Sequence, residues 1–500
     1  MNTYPRGQSV KNRLRRCVAL AVFIALAAPC AAQTLPSDSR ETWMGVYLSN
    51  QKIGYLKMSF ARTQYAGHDA YRVDNIIHTK VRMLGVDLRQ DVSTQVHFNL
   101  KMEPIIEELK MASGGQVTRV ETVYKPDVVQ CTLISQGTTS RKDIPIPAGV
   151  RLAGDSSLYC LLDKKLRVGD KFTLSYFNSM TLAIETLTAE VLREEKLDIK
   201  GATYDTVVVK GVTPMGEVVS WQEPNGDVVK ILGMAGMTMI RETQEEATRE
   251  QPDGSGQPAD MALLTSVKAN IDLPRHERIR LLKVSIIGIG DPKLMINDSR
   301  QRVIASYKDG RAAADFVITA RTPQGKRSVL LPIRAQSLRA FLTEEPYIQC
   351  NNAEIKKQAR LIVGKERRSF YAAAKIRKWV HDNMRMQGDM GIVRSALDVF
   401  HKKSGMCRDY AALYTALARA AGIPTRIAAG LVFHNGSFYY HAWVESYTGD
   451  WTPFDATLPG DFVDATHIKL TQGSATAMLD IAKVIGGLTA EISDYRYLEN

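Results

Sequence analysis

Alternating hydrophobic and polar residues run through the chain from residue 41 to about residue 270. In one such run, Val92, Thr94, Val96 and Phe98 alternate with polar neighbours. A period of two is typical of half-buried antiparallel strands, whose successive side chains point to opposite faces of a sheet. Short runs of this kind, separated by turns, predict a curved antiparallel sheet or open barrel with few helices. A second strand-rich stretch, residues 278 to about 332, predicts a small sandwich-like module.

Helical periodicity begins in the C-terminal third of the chain. Residues 354–363 and 367–384 carry apolar positions three or four residues apart, which predicts two helices. Residues 395–402 predict a further short helix. Residues 245–256 are charged and then contain Pro, Gly and Ser, so we interpret them as a linker or loop. The residues after Gly487 are interpreted as a polar tail.

The same periodicity predicts a helix that starts next to a cysteine. Apolar residues recur at helical spacing over residues 406–421, and the Gly-Ile-Pro sequence that follows ends the helix. Ser404 and Gly405 occupy the position of an N-cap, which puts Cys407 in the first turn. Unpaired backbone N–H groups and the helix dipole favour an anion there, so a thiolate would be stabilised.

Apolar and β-branched residues on both sides of an Asn-Gly pair predict a β-hairpin over residues 425–447. His441 lies on one face of its return strand. If the next loop has three residues, Tyr447 pairs with Trp451, and Asp455 falls on the face of His441 as a diagonal neighbour. A two-residue loop would put His441 and Asp455 on opposite faces. The register of this loop therefore decides whether the two side chains can meet.

These three residue types fit the chemistry of a thiol nucleophile. Cys407 would attack, His441 would exchange the proton and Asp455 would orient the imidazole. The N–H of Cys407 would form half of an oxyanion hole. Taken singly, a helical cysteine is more often a small buried residue and a strand histidine a structural one, but their joint context favours a triad. His467 is an alternative base; we prefer a structural role for it, because Asp455 would otherwise lack a partner.

The sequence around these residues carries a family resemblance. The strings GMCRDYAALYTALARAAGIPTR, HAWVE and WTPFDAT, within residues 351–470, resemble the core of the transglutaminase-like (transglutaminase/protease-like) superfamily. The resemblance implies an α+β, papain-like domain in which Cys407, His441 and Asp455 match the catalytic triad. Chemistry of this kind needs no metal or other cofactor. The second oxyanion donor is left open, because Trp379 fits core packing in its helix equally well.

A targeting segment precedes the predicted domains. Basic residues come before an apolar run at 18–28, and small residues come before Gln33. This pattern predicts a secretory signal peptide, residues 1–32, and hence a periplasmic or secreted protein. Twin-arginine export and a lipid anchor at Cys30 fit the neighbouring residues less well. No later stretch has the length of a transmembrane helix, so no membrane span is expected after cleavage.

Charge and cysteine content limit the partners and cofactors. The net charge is +12, and removal of the basic signal segment lowers it to about +7. No dense stripe of Lys and Arg with interleaved aromatic residues is present, so no nucleic-acid partner is expected. No spacing of Cys and His resembles a zinc site. Cys131 and Cys160 could form a disulfide in an exported protein, whereas Cys350 is interpreted as a buried thiol.

We therefore expect an N-terminal antiparallel β-rich domain (33–270), a small β-rich module (271–345) and a transglutaminase-like catalytic domain (346–500). The expected function is that of an exported cysteine enzyme that cleaves or transfers the acyl group of a peptide or protein amide through an acyl-thioester. Substrates from the cell envelope are expected only because the protein is expected to be exported there. The resemblance favours hydrolysis. The alternative is a non-catalytic cell-envelope binding or assembly protein that uses the transglutaminase-like domain as a scaffold.

Overall fold

A computed structural model of the chain describes residues 39–48, 50–83, 86–135, 138–154, 166–224, 226–233, 236–249, 260–322, 328–388 and 394–499. The expected signal peptide, Cys160 with its pairing to Cys131, and residues 250–256 of the expected linker lie outside the described residues. These expectations stay predictions. Within the described ranges, no helix is long and apolar enough to cross a membrane.

The first half of the described chain consists of strands that belong to one sheet. They are β1 (Arg40–Leu48), β2 (Gln51–Tyr65), β3 (His68–Met83), β4 (Val86–Phe98), β5 (Pro104–Ser113), β6 (Gln116–Tyr124), β7 (Val128–Ser135), β8 (Thr138–Pro145), β9 (Leu152–Ala153), β10 (Lys171–Asn178), β11 (Ala183–Ile199), β12 (Ala202–Thr213), β13 (Gly216–Gln222), β14 (Val228–Leu232) and β15 (Met237–Glu242).

This sheet is built outward from the pairing of β1 with β15. It continues in chain order from β2 to β8 on one side and in reverse order from β14 to β9 on the other. Neighbouring strands are antiparallel, except that the short β9 runs parallel to β10. Along β7, Val129, Cys131 and Leu133 are buried while the residues between them are partly exposed, because side chains alternate between faces. The predicted antiparallel β-rich architecture is confirmed.

The remaining helices and strands follow in chain order. They are α1 (Gln244–Thr248), α2 (Met261–Thr265), β16 (Val267–Lys268), β17 (Ile279–Ile287), β18 (Gln301–Lys308), β19 (Arg311–Thr319), α3 (Ala353–Val363), α4 (Ser369–Asn383), β20 (Arg385–Met386), α5 (Ala396–Lys402), β21 (Ser404–Gly405), α6 (Cys407–Ala420), β22 (Thr425–His434), β23 (Ser437–Tyr447), β24 (Trp451–Phe454), β25 (Ile468–Gly473) and β26 (Thr489–Tyr497). Described 3₁₀ helices lie at His276–Arg278, Pro292–Leu294, Gln336–Leu342 and Ala475–Val484.

Two stretches differ from the interpretation of the sequence. The expected linker begins with a helix, α1. A capping box stabilises its start: the side chains of Thr243 and Glu246 each accept a hydrogen bond from the other's backbone N–H. Strand β26 lies in the expected polar tail and pairs with β17, which completes a four-stranded sheet in the order β18, β19, β17, β26. Ala490 and Ile492 of β26 are buried. The tail is therefore part of the fold.

Four helices and a further sheet build the C-terminal part. Helix α6 packs against α3, α4, α5 and β23, and most of its residues are buried. The sheet has the order β16, β23, β22, β25, with β24 paired to β23. Helices α3 to α6 and the β22–β23 hairpin lie where the periodicity predicts them. The predicted combination of an N-terminal β-rich region with a C-terminal α+β domain is confirmed.

The long N-terminal sheet packs against this C-terminal part. Val129 and Cys131 belong to the same hydrophobic core as Tyr347 and the buried faces of α3 to α6. The hydroxyl of Tyr347 donates a hydrogen bond to the carbonyl oxygen of Met180 at 3.2 Å. The two regions therefore share buried surface, and the domain boundaries at residues 270 and 345 stay a prediction.

Candidate active site

Cys407 is the first residue of α6 and is half-buried. The N-cap of the helix is Met406, one residue later than the Ser404-Gly405 position expected from the sequence. The N–H of Met406 donates to Oδ2 of Asp409 at 2.8 Å, which fixes the first turn. Unpaired N–H groups and the helix dipole favour negative charge at this point. The predicted nucleophile therefore lies where a thiolate is favoured.

A buried ion pair and a glycine hold this turn in place. Arg394 donates to Asp409 at 2.7 Å, and both side chains are almost fully buried. Arg394 also donates to the carbonyl oxygen of Ser404 at 2.9 Å. A Cβ atom at Gly405 would collide with both members of the pair. Removal of one partner from a buried ion pair strongly destabilises a fold. We therefore expect this cluster to fix the chain just before Cys407.

The loop between β23 and β24 has the predicted register. Tyr447 pairs with Trp451, as a three-residue loop requires, so this prediction is confirmed. Asp455 directly follows β24 and meets His441 on the neighbouring strand. The Nε2 atom of His441 lies 2.7 Å from Oδ2 of Asp455, and both side chains are buried.

The charge and hydrogen bonding of His441 lower the pKa of the Cys407 thiol, and that thiol in turn raises the pKa of His441, as expected for two groups in contact. Because Nε2 of His441 faces Asp455, Nδ1 is the nitrogen left to face the sulfur. The backbone N–H of Ala442 also lowers the pKa of this thiol. The fold thus brings together the three residues that the sequence analysis singled out: Cys407 starts α6, His441 lies in the middle of β23 and Asp455 directly follows β24.

The surroundings favour a thiolate next to an imidazolium. Burial alone would raise the pKa of Cys407, but the hydrogen bond and charge of His441, with smaller contributions from the Ala442 N–H and Arg408, hold that pKa below its ordinary value. Burial alone would lower the pKa of His441, but the charge and hydrogen bond of Asp455 and the contact with Cys407 raise it to about 10. Burial opposes the ionisation of Asp455, yet His441 holds its pKa well below the usual range. The groups therefore titrate as a coupled set.

His467 approaches the same carboxylate from another side. Its Nε2 atom lies 3.3 Å from Oδ2 of Asp455, and its Nδ1 atom lies 3.5 Å from Oδ1 of Asp464. The other oxygen of Asp455 accepts the N–H of Thr457 at 2.7 Å. Sequence analysis missed this contact, because it treated the two histidines as alternatives, whereas Asp455 has both as partners. His467 helps to hold the carboxylate that contacts His441.

The side chains of His441, Asp455 and His467 carry atoms of the kinds that bind metal ions. The donor atoms of His441, Asp455 and His467 all lie within 4.8 Å of one another. The Nε2 atom of His441 and the Oδ2 atom of Asp455 lie 2.7 Å apart, which is the distance of a direct hydrogen bond. A direct hydrogen bond therefore accounts for the close approach of His441 and Asp455.

Two tryptophans pack near these residues. Trp443 is buried and stacks on His441 with ring centroids 6.2 Å apart, and it meets His467 edge-on at 5.3 Å. It therefore restrains both imidazole rings. Trp379 is half-buried and stacks on Phe400 at 6.2 Å. This contact accounts for Trp379 as a packing residue, and the second oxyanion donor stays unassigned.

Two family models match separate parts of the chain. The model of the transglutaminase-like superfamily matches residues 356–456, a range that includes Cys407, His441 and Asp455. The model of a protein family of unknown function, DUF3108, matches residues 43–231, which lie in the fifteen-stranded sheet. The superfamily predicted from the sequence motifs is confirmed for the C-terminal part.

Individual proteins also resemble parts of the chain. An uncharacterized protein of Mycobacterium leprae is 28% identical over 129 residues, which cover 24% of this chain and 44% of that protein. The match thus spans less than half of that relative. A candidate cysteine protease from Cytophaga hutchinsonii has 22% identity and a TM-score of 0.30, over 44% of this chain and 86% of that one. A beta-barrel-like protein of a domain of unknown function (DUF1849) from Brucella abortus has 10% identity and a TM-score of 0.31. That match covers 42% of this chain and 96% of the other. TM-scores of this size do not establish a shared overall fold.

Proposed function

Because residues 356–456 form a domain of the transglutaminase-like superfamily, we propose that the chain is a cysteine enzyme that acts on amide bonds of peptides or proteins. In this proposal Cys407 is the nucleophile, His441 is the general base and acid, and Asp455 orients the imidazole. The observation that carries the proposal is the series from Cys407, whose pKa His441 lowers, through His441 to Asp455, which lie 2.7 Å apart. Such a series is the arrangement that nucleophilic catalysis by a thiol requires.

The first half of the proposed reaction forms a thioester. The thiolate of Cys407 attacks the amide carbonyl carbon, and the carbonyl oxygen becomes an oxyanion that the N–H of Cys407 stabilises at the start of α6. The imidazolium of His441 gives its proton to the leaving nitrogen, the C–N bond breaks and the amine departs. Asp455 keeps one imidazole nitrogen directed at the sulfur throughout.

The second half of the proposed reaction releases the acyl group. Neutral His441 removes a proton from a water molecule, whose oxygen attacks the thioester carbon. The C–S bond breaks, a carboxylic acid leaves, and the thiolate and imidazolium are restored. An amine in place of water would give a new amide. We favour hydrolysis, a choice that rests on the resemblance to bacterial-type superfamily members with a simple core.

We also propose that the chain acts outside the cytoplasm, on peptide or protein substrates of the cell envelope. The support is the N-terminal segment, in which basic residues, an apolar run and small residues follow one another before Gln33. The alternative of a non-catalytic binding or assembly protein has no comparable support, because a scaffold has no use for an ionised thiol beside a buried imidazolium.

Turnover of a peptide amide library by the purified chain tests the proposed activity. We expect mass spectrometry to detect new free carboxylates, and we expect Cys407→Ser to abolish their formation while the circular dichroism spectrum is unchanged. Cys350→Ser is the matched control, because it alters another cysteine that lies outside the triad. If an added primary amine is incorporated in place of water, transfer rather than hydrolysis is the reaction. Turnover that survives in Cys407→Ser would contradict the proposal.

A further inference from the structure

A cavity of about 740 Å³ lies between the four-stranded sheet and the loop that joins β23 to β24. Residues of β17, β19 and β26 form one part of its wall, and the segment from Asp450 to Pro453 forms another. This volume lies in the range that small-molecule binding sites occupy. Cys407, His441 and Asp455 are not among its lining residues, so the cavity is separate from the proposed triad.

The lining of this cavity is strongly basic. Arg280, Arg300, Arg321 and Arg496 all line it, and Asp450 is the one acidic residue among the described residues of its wall. Hydroxyl groups of serine and threonine side chains add neutral hydrogen-bond donors. Four guanidinium groups against one carboxylate leave the cavity with a net positive charge, which attracts anions.

Three of these arginines form no ion pair with another residue that the structure describes. In the part of the chain that the structure describes, no ion pair of 4.0 Å or less is found for Arg280, Arg321 or Arg496, and Arg496 acts only as a more distant charge on Asp494. Other arginines of the C-terminal part differ in this respect, since Arg394 and Arg419 each lie 2.7 Å from a carboxylate. The cations of the cavity are therefore available to an external anion.

Arg300 makes a hydrogen bond within the cavity wall, but one of its buried N–H groups has no partner among the described residues. It donates through Nη2 to the carbonyl oxygen of Asp464, whereas its buried Nε has no hydrogen-bond partner among the described residues. Burial lowers the pKa of Arg300 from its ordinary value, against the charges of Asp464, Glu445 and Asp298. An anion in the cavity would stabilise this partly desolvated cation.

We propose that this cavity binds a ligand with an oxyanion group, either a phosphate or a carboxylate, held by the four arginines. A guanidinium group presents paired N–H donors that match two oxygens of such a group. Trp451, Leu281 and Val463 also line the cavity and offer apolar surface to a small organic body that carries the anion. The site is additional to the proposed amide chemistry and does not depend on it.

Isothermal titration calorimetry of the full chain at low ionic strength, with inorganic phosphate and separately with citrate, tests this site. We expect saturable binding of at least one probe at one site per chain, and the tighter probe identifies phosphate or carboxylate as the preferred group. The double variant Arg321→Gln/Arg496→Gln should bind at least about tenfold more weakly. Both side chains are exposed, so the fold should be unaffected. Asp450→Asn, which removes the acid of the wall, should bind more tightly.

Arg302→Gln is the matched control. Arg302 is an exposed arginine on β18 of the same four-stranded sheet, and it does not line the cavity. This variant should bind the probes as the unaltered chain does. Absence of saturable binding with both probes, or equal weakening in the control, would overturn the proposal. Because binding is measured without turnover, the result is distinct from any failure of the proposed enzyme activity.

Discussion

The Oδ2 atom of Asp455 lies 3.3 Å from the Nε2 atom of His467. Asp455 follows β24 and His467 precedes β25, so the contact joins two chain segments at the edge of the proposed active site. It adds a second imidazole to the carboxylate that already meets His441, and His467 in turn contacts Asp464. The proposed triad is therefore one end of a longer buried polar series.

Replacement of His467 tests how much this polar series contributes to the stability of the fold. We expect His467→Phe to lower the free energy of unfolding by about 1–3 kcal/mol, because it removes the hydrogen-bond partner of one buried carboxylate, Asp455, and the imidazole next to a second, Asp464. Urea denaturation measures the change. His68→Phe, at the exposed start of β3, is the control and should change stability by less than about 0.5 kcal/mol. A His467→Phe variant as stable as the control would show that the contact with Asp455 contributes nothing.

Replacement of Asp455 tests its orienting role in catalysis. We expect Asp455→Asn to lower kcat by about 100-fold or more with little change in KM, because the imidazole loses its charged partner. The loss of that charge also lowers the pKa of His441 and raises that of Cys407, so the acid limb of the pH–rate profile should move to higher pH. Steady-state kinetics across pH measures both effects.

Asp382→Asn is the control for this variant. Asp382 pairs with Lys378 on the exposed surface of α4, where an ion pair contributes little. Its kinetics should match those of the unaltered chain. If Asp455→Asn behaves in the same way as this control, Asp455 does not orient His441.

Gly405 provides a test of the support beneath the nucleophile. We expect Gly405→Ala to destabilise the fold by about 1–3 kcal/mol, because the new Cβ collides with Arg394 and Asp409 and forces them apart. Alkylation of Cys407 should slow as the first turn of α6 is displaced. Gly233→Ala is the control, since the nearest atom to its new Cβ would lie 3.7 Å away. Thermal denaturation and labelling of both variants decide whether the close approach at Gly405 matters.

Much of the fold could be predicted because it depends on residues that are close in the chain. The alternation along the N-terminal strands, the periodicity of α3 to α6 and the three-residue loop between Tyr447 and Trp451 are all local features. Strand β26 was missed because its only buried alternation is short and includes the small residue Ala490. Its position is decided by pairing with β17, which lies far away in the sequence.

In the candidate site, too, contacts between distant parts of the chain could not be predicted. The order and local context of Cys407, His441 and Asp455 identify them, whereas the contact between His467 and Asp455 depends on how β25 is placed in the sheet. The cluster behind Cys407 left one local signal, an acid at the third residue of α6, which is typical of a capped helix start. Its ion pair with Arg394 is a tertiary contact that no periodicity reveals.

The central claim is that Cys407 is ionised by its contact with His441, and the pH dependence of its alkylation by iodoacetamide tests this most directly. Because the thiolate is the reactive form, the rate at Cys407, located by mass spectrometry, should be half-maximal below pH 9.0, the ordinary pKa of this thiol. His441→Ala should move that midpoint upward. Cys350, whose pKa burial raises, is the internal comparison and should react more slowly. A midpoint for Cys407 at or above pH 9.0, or a rate no greater than that of Cys350, would contradict the account.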